Sequence, residues 1–179
     1  MKTMKTWWLA IDKNDGHSSY IELKHRKIVA QGWSALGNLD FLKKSVPNNE
    51  KEFIQIVQLL GDVAYKGQDW WFEDRKPERC PSVMWNLMNV KKGDLIIGHE
   101  GAEVMGICQT TADAIESYRY DKGYEYAQTI GFPVTWIDWN QHFSTFTPKA
   151  NARSLGIRGL NKESAEVIEA WNEYKSKQG

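Results

Sequence analysis

The chain has 179 residues, with 23 Lys and Arg set against 23 Asp and Glu. Zero net charge excludes a molecule-wide field for nucleic acid or membrane, so any polyanion contact has to come from a local patch. Two distant cysteines, Cys80 and Cys108, exclude a disulfide or metal scaffold, and no apolar run near about 18 residues or signal-peptide pattern is present. Together these features read as a soluble, cytoplasmic protein. A chain of this length buries roughly 70% of its unfolded surface without staples. Nine Trp, seven Tyr and six Phe exceed what such a core asks for, so some rings are expected to face a ligand or partner.

In chain order, Thr6 to Ile11 (TWWLAI) reads as a buried first strand closed by the DKNDG turn. Of the adjacent Trp7 and Trp8, one is expected inward and the other outward. Tyr20 to Leu23 reads as a brief edge segment, followed by the cations Lys24 to Lys27. Lys27 to Gly32 predicts a strand that gives out at Trp33-Ser34, then a glycine-broken turn and the start of a helix. A flat ring at a strand end can line a mouth instead of filling a core. Asn48 to Tyr65 spaces Phe53, Ile56, Val57 and Leu60 as an amphipathic helix, capped by Asn48 or Asn49 and ended by Gly67. Gln68 to Pro81 is a charged, proline-bearing loop whose Trp70, Trp71 and Phe72 either pack onto the domain or line a groove.

Ser82 is expected to cap a short helix through Met88. Leu95 to His99 and Ala102 to Thr111 then form a hairpin, the clearest supersecondary signal in the chain. Asp113 to Tyr126 is a tyrosine-rich excursion, and Ala127 to Trp139 holds a further strand, PVTWIDW. Asn161 is expected to cap a C-terminal helix, Lys162 to Lys175. The pattern predicts one α+β domain over residues 1–179, with about five to six strands closed into a small, partly open barrel and residues 161–179 as a helical extension.

No phosphate-binding glycine loop, HExxH or GxSxG motif is present, and His17, His25, His99 and His142 lack metal-ligand spacing. No cofactor is expected. The acidic-x-Lys triplet within Glu73 to Lys76 reads as a solvated loop before it reads as a nuclease site. His99-Glu100 could serve acid-base chemistry, yet a hairpin-turn pair is the commoner meaning.

A strand ending in Trp-Ser, then WNLMNVKKGDLIIGHEG, VMGI, an aromatic excursion and FPVTWIDW, in that order, resembles the PUA-like superfamily. Within it the order is similar to EVE and YTH domains, and IVAQGWSALGNL resembles EVE-type domains of methyl-specific restriction systems. The resemblance spans Trp7 to Trp139 and implies a reader that takes one flipped, modified base into an aromatic cage. By that resemblance Trp33 and Ser34 hold the base face and edge, Tyr118, Tyr120 or Tyr124 oppose them, and Asp12 or Asp15 adds a polar contact. Arg153, with Lys149 and Arg158, is implied as a contact to the phosphate backbone. The implied partner is DNA or RNA carrying a modified base, with a separate nuclease or motor subunit beside it and no membrane. The alternatives are a nucleic-acid-processing enzyme, which lacks a visible catalytic constellation, and a pocket for a free nucleotide-like ligand.

Overall fold

The computed structural model describes residues 4–11, 13–14, 17–68, 79–143, 146–150 and 156–179. The apolar N-terminal run forms β1 (Thr6–Ile11), followed by the short pair β2 (Lys13–Asn14) and β3 (His17–Ser18). Next comes a helix, α1 (Ser19–Arg26), where an edge segment was expected. Tyr20 and Leu23, three residues apart, are its buried face, while Ile21 is exposed. Lys27 ends the helix in the left-handed conformation, and the Lys27 and Ile28 N–H groups return to the carbonyls of Lys24 and Leu23.

β4 (Val29–Gln31) is shorter than the run Lys27 to Gly32 predicts, and two 3-10 turns, Ser34–Leu36 and Asp40–Ser45, replace the expected helix start. α2 (Glu50–Ala64) buries Phe53, Val57 and Gly61 at four-residue spacing. Asn49 stands at its N-cap position, but its side chain turns to Glu52 instead of the backbone. α3 (Arg79–Asn89) begins ahead of Ser82, which therefore lies inside the helix and is not its cap.

The hairpin forms as read, from β5 (Leu95–Glu100) and β6 (Glu103–Gln109), with an irregularity between Gly98 and His99. After it come α4 (Ala114–Ser117), β7 (Arg119–Tyr120), β8 (Gln128–Ile130) and β9 (Ile137–Asp138). Trp139, expected in the last of these strands, instead opens α5 (Trp139–His142). β10 (Ile157–Gly159) and α6 (Ser164–Ser176) complete the chain. Glu163, not Asn161, holds the cap position of α6.

The fold is α+β, but the predicted barrel does not close. Five strands form an open mixed sheet in the order β10-β1-β5-β6-β9, with β1 and β5 parallel. β4, expected within the barrel, pairs only with β8, in a separate sheet ordered β4-β8-β7. The larger sheet is covered on both faces. Trp7, Leu9 and Ile11 join a core with Phe53, Met84 and Leu87, whereas Trp8, Leu95 and Ile97 pack with Trp139, Val167 and Trp171. Trp7 and Trp8 are therefore both buried, each in its own core, and neither is the outward ring the alternation suggested.

Asp94, at the Gly-Asp turn before β5, ties the start of β1 to this hairpin. Its carboxylate accepts the Trp7 indole N–H at 2.9 Å and the backbone N–H groups of Lys5 and Lys91 at 3.1 and 3.0 Å. Asp94→Ala strips three donors of their acceptor and is expected to lower the unfolding free energy by about 3 kcal/mol. Asp94→Asn, which keeps one acceptor, should lose less; urea denaturation of the two variants measures both.

Candidate functional site

Trp33 sits where β4 ends, and its backbone is left-handed, with φ 61° and ψ 37°. A bulky side chain in that region costs about 1–3 kcal/mol and persists only where its surroundings impose it. Here the imposing group is Gln128, fully buried on β8. Its Nε2 donates to the carbonyls of Trp33 at 3.2 Å and Gly37 at 3.0 Å, and its Oε1 accepts the Tyr118 hydroxyl at 2.5 Å. The Tyr118 oxygen in turn accepts the Leu39 N–H at 2.9 Å. This network fastens the turn from Trp33 to Leu39 onto the three-stranded sheet.

The Trp33 ring is left half-buried at the edge of the larger core. Tyr65 stands against it edge-to-face, with centroids 6.1 Å apart and planes at 79°. Tyr65 continues the α2 stripe from Phe53, Val57 and Gly61 by one more four-residue step, so that spacing was the signal that could have found it. The Ala35 N–H hydrogen-bonds to the Tyr65 phenol oxygen, and burial pushes that phenol up to about 12. Tyr120, across the ladder from Gln128, donates its hydroxyl to the Ser34 carbonyl at 2.8 Å. The Ser34 hydroxyl itself has no hydrogen-bond partner among the described residues. The result is a right-angled aromatic corner, Trp33 and Tyr65, with Tyr120 and Ser34 beside it.

Of the residues the sequence singled out, Trp33, Ser34 and Tyr120 meet here. Tyr118 is only 5% exposed and both sides of its hydroxyl are engaged, so it is a strut behind the turn and not a wall of the site. Tyr124 stacks on the Arg26 guanidinium at 3.8 Å, and Arg26 also pairs with Glu22 and Asp121, which pins the excursion to α1. Lys149 and Arg158 lie away from this corner, in a groove with Trp8. Asp12, Asp15 and Arg153, like Trp70, Trp71, Phe72 and the triplet within Glu73 to Lys76, fall outside the described residues.

His99, weighed above for acid-base work, is buried with Nδ1 hydrogen-bonded to the Gly101 carbonyl at 2.8 Å, and burial holds its pKa below the usual range. Cys80 and Cys108 are buried free thiols, pushed well up by desolvation. Among the described residues no group of three or more His, Cys, Asp or Glu side chains could hold a metal ion, and no helix is long and apolar enough to cross a membrane.

No family model and no curated protein matches the sequence. Among solved structures, the chain is similar to the YTH domain of the Zygosaccharomyces rouxii MRB1 protein, crystallised in complex with N6-methyladenosine RNA. The likeness covers 98% of this chain and 92% of that one, at 10% identity and a TM-score of 0.38.

Burial raises Tyr118, like Tyr65, from the ordinary 10.0 to about 12. A raised phenol stabilises the fold below its unfolded pKa, and that contribution is lost as the pH climbs through the folded one. Stability is therefore expected to fall between pH 10 and pH 12. Tyr118→Phe should flatten part of that fall and remove one late-titrating group from the phenolate absorbance curve.

Proposed function

We propose that this chain is a non-catalytic module that binds one modified, most simply methylated, nucleobase flipped out of a nucleic-acid strand onto Trp33. The observation that carries the reading is the left-handed Trp33. A buried amide network holds the backbone at the strained angle and leaves a half-open indole at the end of a strand. Strain maintained under a partly exposed aromatic ring is the mark of a surface held ready for a ligand.

The corner supplies what such a ligand needs. Stacking on an indole contributes ~1–3 kcal/mol per base, comparable with the few kcal/mol that flipping costs. With the base on the Trp33 face, Tyr65 closes one side at right angles, and the Ser34 hydroxyl, on the next residue and unpartnered among the described residues, is the group this reading assigns to a polar edge. A methyl group adds about 0.8 kcal/mol of burial, which is less than tenfold. Real discrimination then requires the unmodified base to leave a polar atom or a trapped water unsatisfied in the pocket. Any strand cleavage would belong to a separate subunit.

The test is fluorescence anisotropy with short DNA and RNA strands carrying adenine, N6-methyladenine, cytosine, 5-methylcytosine or 5-hydroxymethylcytosine. One modified strand is expected to bind selectively, and Trp33→Ala should weaken it by roughly tenfold to a hundredfold, the loss of one stacked base. Equal affinity for every strand, or selectivity that survives Trp33→Ala, would contradict the proposal.

A further inference from the structure

The second core face of the larger sheet ends in a groove of about 490 Å³ that the aromatic corner does not use. β10 is the edge strand, and its register sets Arg158 directly across from Trp8, so the two side chains share one face of the ladder. His99 packs edge-on against Trp8 on that same side, with centroids 5.2 Å apart. Lys149 and Lys162 complete the cationic lining, and Glu163 is the carboxylate among the described lining residues. That carboxylate accepts the backbone N–H of Lys149 at 3.2 Å.

Among the described residues none of Arg158, Lys149 and Lys162 is ion-paired, although Lys24, Arg26, Lys43, Lys91 and Arg119 all are. Arg158 is only half-exposed, and its Nε–H is buried with no acceptor. A partly desolvated guanidinium without an anion is an expensive arrangement, and the desolvation already lowers its pKa. His99 beside it donates from Nδ1 to the Gly101 carbonyl, so its buried Nε2 is an acceptor and takes no part in holding an anion. The amino end of α6, a 13-residue helix starting at Ser164, adds partial positive charge at the rim. The unpartnered Arg158 Nε–H and the positive helix end are both relieved by an oxyanion.

We propose that this groove takes phosphate groups of a nucleic-acid backbone, with Arg158 as the anchoring cation and Lys149 and Lys162 as flanking contacts. The groove, at about 490 Å³, is far larger than one inorganic phosphate, so it has room for successive phosphates of a strand. A guanidinium also matches phosphate oxygens in a fork that a lysine cannot reproduce.

A labelled abasic oligodeoxynucleotide, which offers phosphates and sugars without bases, separates this site from the base-reading corner. Its binding is expected to weaken with salt at a slope of about −2 in log affinity against log salt concentration, about 0.7 for each of three contacts. Lys149→Gln with Lys162→Gln, both at exposed positions, should shallow the slope by about 1.4, and Arg158→Gln should weaken binding more than Arg158→Lys. A slope unchanged in the double variant would overturn the proposal. So would inorganic phosphate, at matched ionic strength, binding through Arg158 while the abasic strand ignores all three substitutions. Because the strand carries no bases, failure of the Trp33 reading would leave these results untouched.

Discussion

A single buried carboxamide, that of Gln128, decides the shape of the aromatic corner. Its two N–H groups reach the carbonyls of Trp33 and Gly37, and its oxygen takes the Tyr118 hydroxyl. Those bonds fix the turn that follows β4 and, with it, the left-handed backbone of Trp33. Buried polar networks of this kind rigidify when every member is satisfied and are costly when one is not. Tyr118 closes the network by accepting the Leu39 N–H, which is why the tyrosine that looked like a ligand contact in the sequence is a structural strut. Tyr120, one ladder step from the same glutamine, then meets the Ser34 carbonyl. β4, β7 and β8 together form a small scaffold whose product is the placement of one indole.

The larger sheet plays a different part. Its two faces carry two cores, so adjacent tryptophans on β1 can both be buried, and α2 delivers Tyr65 to the Trp33 corner from one face. The other face ends in the Arg158 groove, which the β1–β10 register places beside Trp8. A sheet covered on both sides offers ligands its edges and strand ends, and the Arg158 groove lies at the β10 edge, while the Trp33 corner lies at the end of β4 in the smaller sheet.

Local signals in the sequence were legible where the chain's own periodicity decides the structure. The 95–109 hairpin and the apolar stripe of α2 follow from spacing alone. What escaped was decided by partners distant in sequence. α1 is eight residues long and, besides Ser19, buries only Tyr20 and Leu23, too few apolar residues to announce a helix before the β5 side of the molecule covers it. The strands looked closable into a barrel because alternation says nothing about which neighbour each strand finds, and β4 found β8. At the site, Trp33 and Ser34 stood out because a strand fails there. Gln128 did not, since a buried glutamine has no local signature of function, and Tyr65 was legible only as one more step of the α2 stripe.

The central claim is that a base stacks on the Trp33 indole. The chain's nine tryptophans give nine candidate indole N–H signals in a nitrogen–proton correlation spectrum, and Trp33→Phe identifies the one that matters. Titration with the free modified nucleoside then reads the contact directly. The account predicts that the Trp33 signal shifts most, with no comparable shift for the unmodified nucleoside. A ligand that moves other indoles and leaves Trp33 in place would contradict it.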